Sequence, residues 1–288
     1  MSRETVNPTG RAPDGPATDL KRVFRDARRD PGLAVLEGLH ALKHALRFGA
    51  QVLHTAVVSP ARLGALADAL APDVRERILA DAEMVSAEVF ATLAPLAPST
   101  GVIAIARRPP TDADALLAEA RAAPVVLLEA PSDLGNIGAC VRVTAAADVA
   151  GVLTTGIHDP WDPAALRGSA GLHFALPVAR LGEDALELIG PMQATAHNIP
   201  AGGPDERRPL IAFDPDGEPL RPGELPARSI LAFGAERQGL SRELLDRAEA
   251  RVCLPMREGV SSLNLATSVA AVLYSWRLAG AEQNARVD

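Results

Sequence analysis

Residues 252–276 read VCLPMREGVSSLNLATSVAAVLYSW, and this stretch decides the fold. Pro255 has no N–H to give to a sheet ladder, so the apolar run before it ends a strand. From Leu265 onward, Leu265, Val269, Val272, Leu273 and Trp276 fall on one helical stripe, with small Ala266, Ala270 and Ala271 beside it for close packing. The expected order is strand, loop, helix. The loop, residues 256–264, carries Arg257, Glu258, Gly259, Ser261, Ser262 and Asn264, more polar chemistry than a connection needs.

Two upstream stretches repeat the arrangement. VVLLE (125–129) is a continuous apolar run, as in a parallel strand covered on both faces. The polar loop after it leads into a helix expected to start near Ile137, with Asn136 as its N-cap. Arg142 lies one turn beyond Gly138, and helical side chains lean toward the N-terminus, so its guanidinium can reach back toward the loop and Asn136. SILAF (229–233) is a second buried strand, followed by GAERQGLS. There Gly234 and Gly239 free the backbone to approach a ligand, Glu236 lies in the turn, and Ser241 suits the N-cap of the next helix.

Between these stretches, residues 151–155 read as a strand, residues 164–167 as the start of a short helix, and residues 192–196 as another strand. Residues 201–228 read mostly as loop around a short apolar run at 210–213. Trp161, bracketed by Pro160 and Pro163, is expected to pack rather than to stack on a base. In an open parallel sheet, ligands bind beyond the carboxyl ends of the strands. Asn136, Arg142, Glu236, Ser262 and Asn264 can therefore converge, bringing one cation, one carboxylate, two amides and a hydroxyl. A nucleophilic cysteine with a base, a metal triad and a Walker lysine are absent, so the chemistry rests on positioning and charge.

The remainder of the chain bounds this reading. At 288 residues and 48% hydrophobic, two domains are expected. Residues 1–19 are polar and read as a disordered tail, and residues 20–106 as a small N-terminal α/β unit. Residues 107–123 read as a linker and residues 124–282 as the second domain. Lys21, Arg25 and Arg28 share one helical face that could meet a phosphate backbone. HALKH (40–44) lacks the glutamate of HExxH, so no zinc is expected there. Cys140 and Cys253 read as buried thiols, and no metal is expected. The turn GNIG lacks the first glycines of a dinucleotide fingerprint, although Asp159 lies near the distance of a ribose contact. No signal peptide or membrane span is expected, which places the chain in the cytoplasm. The net charge is −7. Only Lys21 and Lys43 are lysines, the other cations being arginine, which forks onto phosphates.

DLGNIGACVR, LAFGAERQGLS and LPMREGVSSLNLATSVAA, in this order and spacing, resemble the three motifs of the SpoU (TrmH-type) branch of the SPOUT RNA methyltransferases. More loosely, EGLHALKHAL and TGVIAIA resemble the small N-terminal substrate-binding domain of these enzymes. The resemblance implies an α/β fold, a SPOUT-type parallel sheet with a C-terminal trefoil knot, and a homodimer with its site at the interface. It also implies transfer of the methyl of S-adenosylmethionine to a ribose 2′-hydroxyl in RNA. Ribosomal RNA is the expected substrate, with transfer RNA, or a noncatalytic RNA-binding role, as alternatives. By motif position, Gly234, Leu254, Met256 and Leu263 would line the cofactor, and Asn136, Arg142, Glu236, Ser262 and Asn264 would form the catalytic cluster. Guanidinium stays protonated, so Arg142 is expected to stabilise the developing alkoxide while a phosphate, Glu236 or water takes the proton.

Overall fold

The computed structural model describes residues 16–80, 82–182, 189 and 207–284. Residues 1–15 of the expected tail lie outside that range, as does the strand expected at 192–196. Helix α1 (Pro16–Ala27) begins within the last residues assigned to the tail. Two cations of its basic face are engaged, Arg25 with Asp26 and Arg28 with Glu37, and Arg22 beside that face meets Asp19.

The N-terminal part is a four-stranded sheet of β1 (Leu33–Glu37), β2 (Val52–Val57), β3 (Ala82–Met84) and β4 (Val102–Arg107), in the order β1-β4-β2-β3. Helices α2 (Leu39–Arg47), α3 (Pro60–Leu70), α4 (Arg75–Ala80) and α5 (Ala87–Phe90) pack with it. The side chains alternate as a pleated sheet requires. Ala34, Leu36, Val102 and Ala104 enter one core, whereas Val35, Ile103 and Ile105 enter another with Phe24 of α1. Strand β3 has no apolar period of its own. It exists because it pairs with β2, which is why its sequence gave no signal.

Helix α6 (Ala113–Ala118) occupies the expected linker. Its carbonyl end is gripped by two buried arginines: Arg208 donates to the carbonyls of Leu117, Glu119 and Ala123, and Arg228 to those of Ala118 and Glu119. Cations at a helix C-terminus meet the negative end of its dipole. Burial, with Arg228 next, lowers the Arg208 pKa to about 10.

The second sheet contains β5 (Val125–Leu128), β6 (Gly151–Thr154), β7 (Val178–Arg180), β8 (Leu210–Pro219), β9 (Ile230–Phe233) and β10 (Ala250–Cys253). Its order is β10-β8-β9-β5-β6-β7 and every pairing is parallel. All four β5 residues are fully buried. Val126 and Leu128 face one core, and Val125 and Leu127 the other, as the uninterrupted apolar run requires. Helices α7 (Leu134–Ala147), α8 (Pro163–Gly168), α9 (Arg242–Arg247) and α10 (Leu265–Asn284) complete the unit. Helix α10 starts at Leu265, and Val269, Val272 and Leu273 are fully buried.

Strand β8 corrects the expected loop at 201–228, since pairing runs from Leu210 to Phe213 and resumes at Glu218 and Pro219. The pairing is interrupted. Arg251 opposes Ala212, but Val252 already opposes Glu218, so residues 213–217 bulge out of the ladder with β10, although Phe213 still pairs with Phe233 of β9. That excursion accommodates Pro215, which could not donate within it.

The two parts share a core and polar contacts. The buried Glu37 carboxylate accepts from Arg28 at 2.9 Å and Arg167 at 2.5 Å. His44 of α2 lies 2.8 Å from the Ala170 carbonyl. Asp159 is taken up by Arg108 at 2.7 Å and by the Trp161 backbone N–H at 3.0 Å, so its role is local. Trp161 is buried and donates its indole N–H to the Val178 carbonyl. Among the described residues, no helix is long and apolar enough to cross a membrane.

Candidate active site

The loops after β5, β9 and β10 meet beyond the carboxyl ends of their strands. Helix α7 begins three residues earlier than its sequence suggests. Asp133 is its N-cap, accepting from the Asn136 backbone N–H at 2.7 Å. Both residue types cap well; here Asp133 takes the cap while the Asn136 side chain is drawn to Glu236. The correction matters because it releases the Asn136 side chain from local capping.

That side chain joins three segments. Asn136 Nδ2 donates to Glu236 Oε1 at 2.6 Å, and Asn264 Nδ2 donates to Asn136 Oδ1 at 2.9 Å. Asn264 Oδ1 accepts from the backbone N–H groups of Ala266 and Thr267, capping α10. The second Glu236 oxygen accepts from the Ser132 hydroxyl at 2.7 Å and its backbone N–H at 3.3 Å. Partial burial pushes the Glu236 carboxyl up, but the hydrogen bonds from Ser132 and Asn136 and those from backbone N–H groups outweigh it and leave the pKa below the usual carboxylate value. Three predicted residues, Asn136, Glu236 and Asn264, are therefore brought into one network.

Arg142 is placed differently. It lies six residues beyond Asn136, about 120° around the helix, and is exposed. Among the described residues it has no hydrogen-bond or ion-pair partner. Its charge falls near α2, where burial, Lys43 and Arg142 in that order lower the His40 pKa. Ser262 is exposed and reaches the site as part of a cavity wall.

That cavity, of about 460 Å³, opens beside Glu236. Gly234, Leu254, Met256 and Leu263 all line it, with Ser262 and Leu265. Its size falls in the range of small-molecule sites. A Cβ on Gly234 would collide with the backbone of Gly239 and Leu240, so this wall admits only glycine. Glu129 fixes the loop from below by accepting from the Ser241 N–H at 2.6 Å. Ser241 caps α9 as expected.

Sequence reasoning missed Ser132 and Asp133, although the polar pair directly precedes the helix. It also missed the stacked rings of Phe213 and Phe233, whose centroids are 4.6 Å apart at the cavity wall. Cys140 is buried, and burial followed by the Glu236 charge pushes its thiol up to about 12. No group of side chains suited to a metal ion occurs among the described residues.

Comparison with known proteins places these features in context. Residues 123–274 match the model of the SpoU rRNA Methylase family. Over 261 residues the chain is 31% identical to an uncharacterized tRNA/rRNA methyltransferase of Synechocystis, covering 87% of this chain and 85% of that protein. It is 34% identical over 178 residues to the 23S rRNA (adenosine(1067)-2′-O)-methyltransferase of Streptomyces laurentii, spanning 60% of each. The SpoU methyltransferase AviRb of Streptomyces viridochromogenes, solved with the cofactor AdoMet, superposes with a TM-score of 0.66 at 22% identity. That match covers 91% of this chain and 97% of AviRb. At that identity the likeness speaks for the fold.

Proposed function

Since this chain belongs to the SpoU rRNA methylase family, we propose that it transfers the methyl group of S-adenosylmethionine to a ribose 2′-hydroxyl of ribosomal RNA. The observation that carries the reading is the hydrogen-bonded run from Asn264 through Asn136 to Glu236, set against the cavity wall at Gly234.

The residues present fit the cofactor. Gly234, Leu254, Met256 and Leu263 would hold it, largely through backbone groups. When bound, S-adenosylmethionine supplies a methyl already activated on sulfur, so the protein has to align the attacking oxygen. Asn136 and Asn264 would orient the ribose, and Ser262 would contact it from the cavity side. Arg142 would stabilise negative charge growing on the 2′-oxygen.

The guanidinium of Arg142, exposed and without a partner among the described residues, also supports a homodimer, in which a second copy brings that charge to the site. Tyr274 and Leu278 on α10, exposed at 42% and 62%, supply apolar surface for such an interface. The reading further includes a trefoil knot in the C-terminal segment, division into an N-terminal RNA-binding unit and a methyltransferase unit, and action in the cytoplasm.

The test is incubation of the full chain with labelled S-adenosylmethionine and unmodified 23S, 16S and transfer RNA transcripts, followed by mass-spectrometric mapping of 2′-O-methyl nucleotides. A single labelled ribose in ribosomal RNA supports the reading. Label only in transfer RNA replaces the substrate, and cofactor binding without label on any RNA overturns the enzymatic role.

A further inference from the structure

We propose that Ser132 is a positioning residue for methyl transfer, locking Glu236 as a fixed anchor that orients Asn136 and Asn264 and not as the group that takes the proton. The proposal rests on the reading above and assigns a role to a residue outside the family motif.

An amide side chain has two ends of opposite character, and its orientation is set by its partners. Glu236 Oε1 takes the NH₂ end of Asn136, which turns the carbonyl end of Asn136 toward Asn264. Asn264 spends its own carbonyl on the start of α10, leaving its NH₂ end for Asn136. Every donor in the series thus points toward one charged acceptor. That acceptor is held at its far oxygen by the Ser132 hydroxyl, at 2.7 Å, while the Ser132 backbone N–H stands at 3.3 Å. Without the hydroxyl, Oε2 keeps only the longer contact and the carboxylate can rotate, releasing the amides behind it.

Ser132 has no competing local duty. It is exposed, the cap of α7 is Asp133, and its hydroxyl reaches a residue 104 positions away. A general base works best with a pKa near the working pH. The Glu236 carboxylate already accepts three hydrogen bonds, from the Asn136 amide and from the Ser132 hydroxyl and backbone N–H, and its pKa is lowered, not raised. The 2′-hydroxyl proton therefore leaves to a phosphate oxygen or to water.

Two readouts test this, one of which needs no RNA. In protein carrying ¹³C-labelled glutamate carboxyls, with Glu236 assigned by its loss in Glu236→Gln, Ser132→Ala should move the Glu236 titration upward, whereas Ser132→Thr should leave it near wild type. In methyl transfer, Ser132→Ala should lower kcat about tenfold, with the acid limb of the pH profile moved to higher pH and cofactor Kd within about twofold. Ser132→Thr should restore most of the rate. Combining Ser132→Ala with Glu236→Gln should cost no more than Glu236→Gln alone. An unmoved Glu236 titration, or wild-type kcat in Ser132→Ala, overturns the proposal. Absence of methyl transfer by the wild-type chain instead overturns the reading it rests on.

Discussion

Asn264, at the start of α10, donates its side-chain amide to Asn136 in the first turn of α7, 2.9 Å away across 128 residues of sequence. The same side chain caps α10 through its carbonyl oxygen. One residue therefore serves stability and site geometry through different atoms, and substitution can separate them. Asn264→Asp keeps an oxygen for the cap, at a position where a carboxylate suits the helix dipole, but has no NH₂ to give to Asn136. The expected result is thermal stability close to wild type with methyl transfer reduced at least tenfold. Asn264→Ala should lose both, the cap costing about 1 kcal/mol. Equal activity in Asn264→Asp and wild type would show that the amide bridge is idle.

Arg142 stands outside the cavity and outside the amide network, so its removal should spare cofactor binding. Arg142→Ala is expected to keep the Kd for S-adenosylmethionine within about twofold by calorimetry while kcat falls on the order of a hundredfold, the scale of losing one oxyanion-type donor. Weakened cofactor binding with intact turnover of bound cofactor would reverse the assignment.

Gly234 tests the cavity itself. The methyl of Gly234→Ala has no room against the backbone of Gly239 and Leu240, so the loop must shift and the wall with it. Cofactor affinity should drop by more than tenfold in calorimetry. Gly280, whose surroundings are open, is the control, and Gly280→Ala should bind as wild type does.

His173 predicts a pH dependence of stability. It is fully buried, its ring lies 2.7 Å from the Ser169 hydroxyl and 2.8 Å from the Pro160 carbonyl, and burial lowers its pKa from 6.5 to about 4. The Pro160 contact and Asp159 oppose that shift, and Arg108 adds to it. The fold favours the neutral ring, so this stabilisation is complete above the unfolded value of 6.5 and is lost as pH falls toward 4. The shift corresponds to roughly 3 kcal/mol at most. Urea midpoints measured from pH 7 to pH 4 should fall in the wild type and fall less steeply in His173→Asn.

Glu37 is the buried charge joining the two parts of the chain, its side chain 4% exposed between Arg28 and Arg167. Removing one member of a buried ionic group leaves an uncompensated charge. Glu37→Ala should therefore cost about 3 kcal/mol in denaturant unfolding. Arg167→Ala removes a side chain that is 54% exposed and leaves the Glu37 carboxylate paired with Arg28, so it should cost less than about 1 kcal/mol. Similar losses in the two variants would contradict this account of the junction.

The architecture was legible because its signals are local. The covered strand at 125–128, the stop before Pro255 and the apolar stripe of α10 follow from side-chain periodicity and from what proline cannot do. The cavity wall was legible for a different reason. Gly234, Leu254, Met256 and Leu263 were placed by the motif resemblance; Gly234 and Leu254 directly follow strand ends, where a parallel sheet opens, and Leu263 precedes α10.

What sequence alone could not decide is competition between equally suited partners. Asp133 and Asn136 can each cap α7, and only the assembled loops, in which Glu236 stands ready to accept the amide, settle which does. The segment after Phe213 looks like loop until β10 arrives to pair with its far end, and Ser132 is an ordinary polar residue until Glu236 approaches it. By itself the sequence determined the buried strands at 125–128 and 230–233, helix α10 and which loops carry polar chemistry, because backbone preferences and apolar spacing act over a few residues. The tertiary structure decided which atom of each polar side chain meets which partner, because a hydrogen bond depends on distances of a few tenths of an ångström between segments a hundred residues apart.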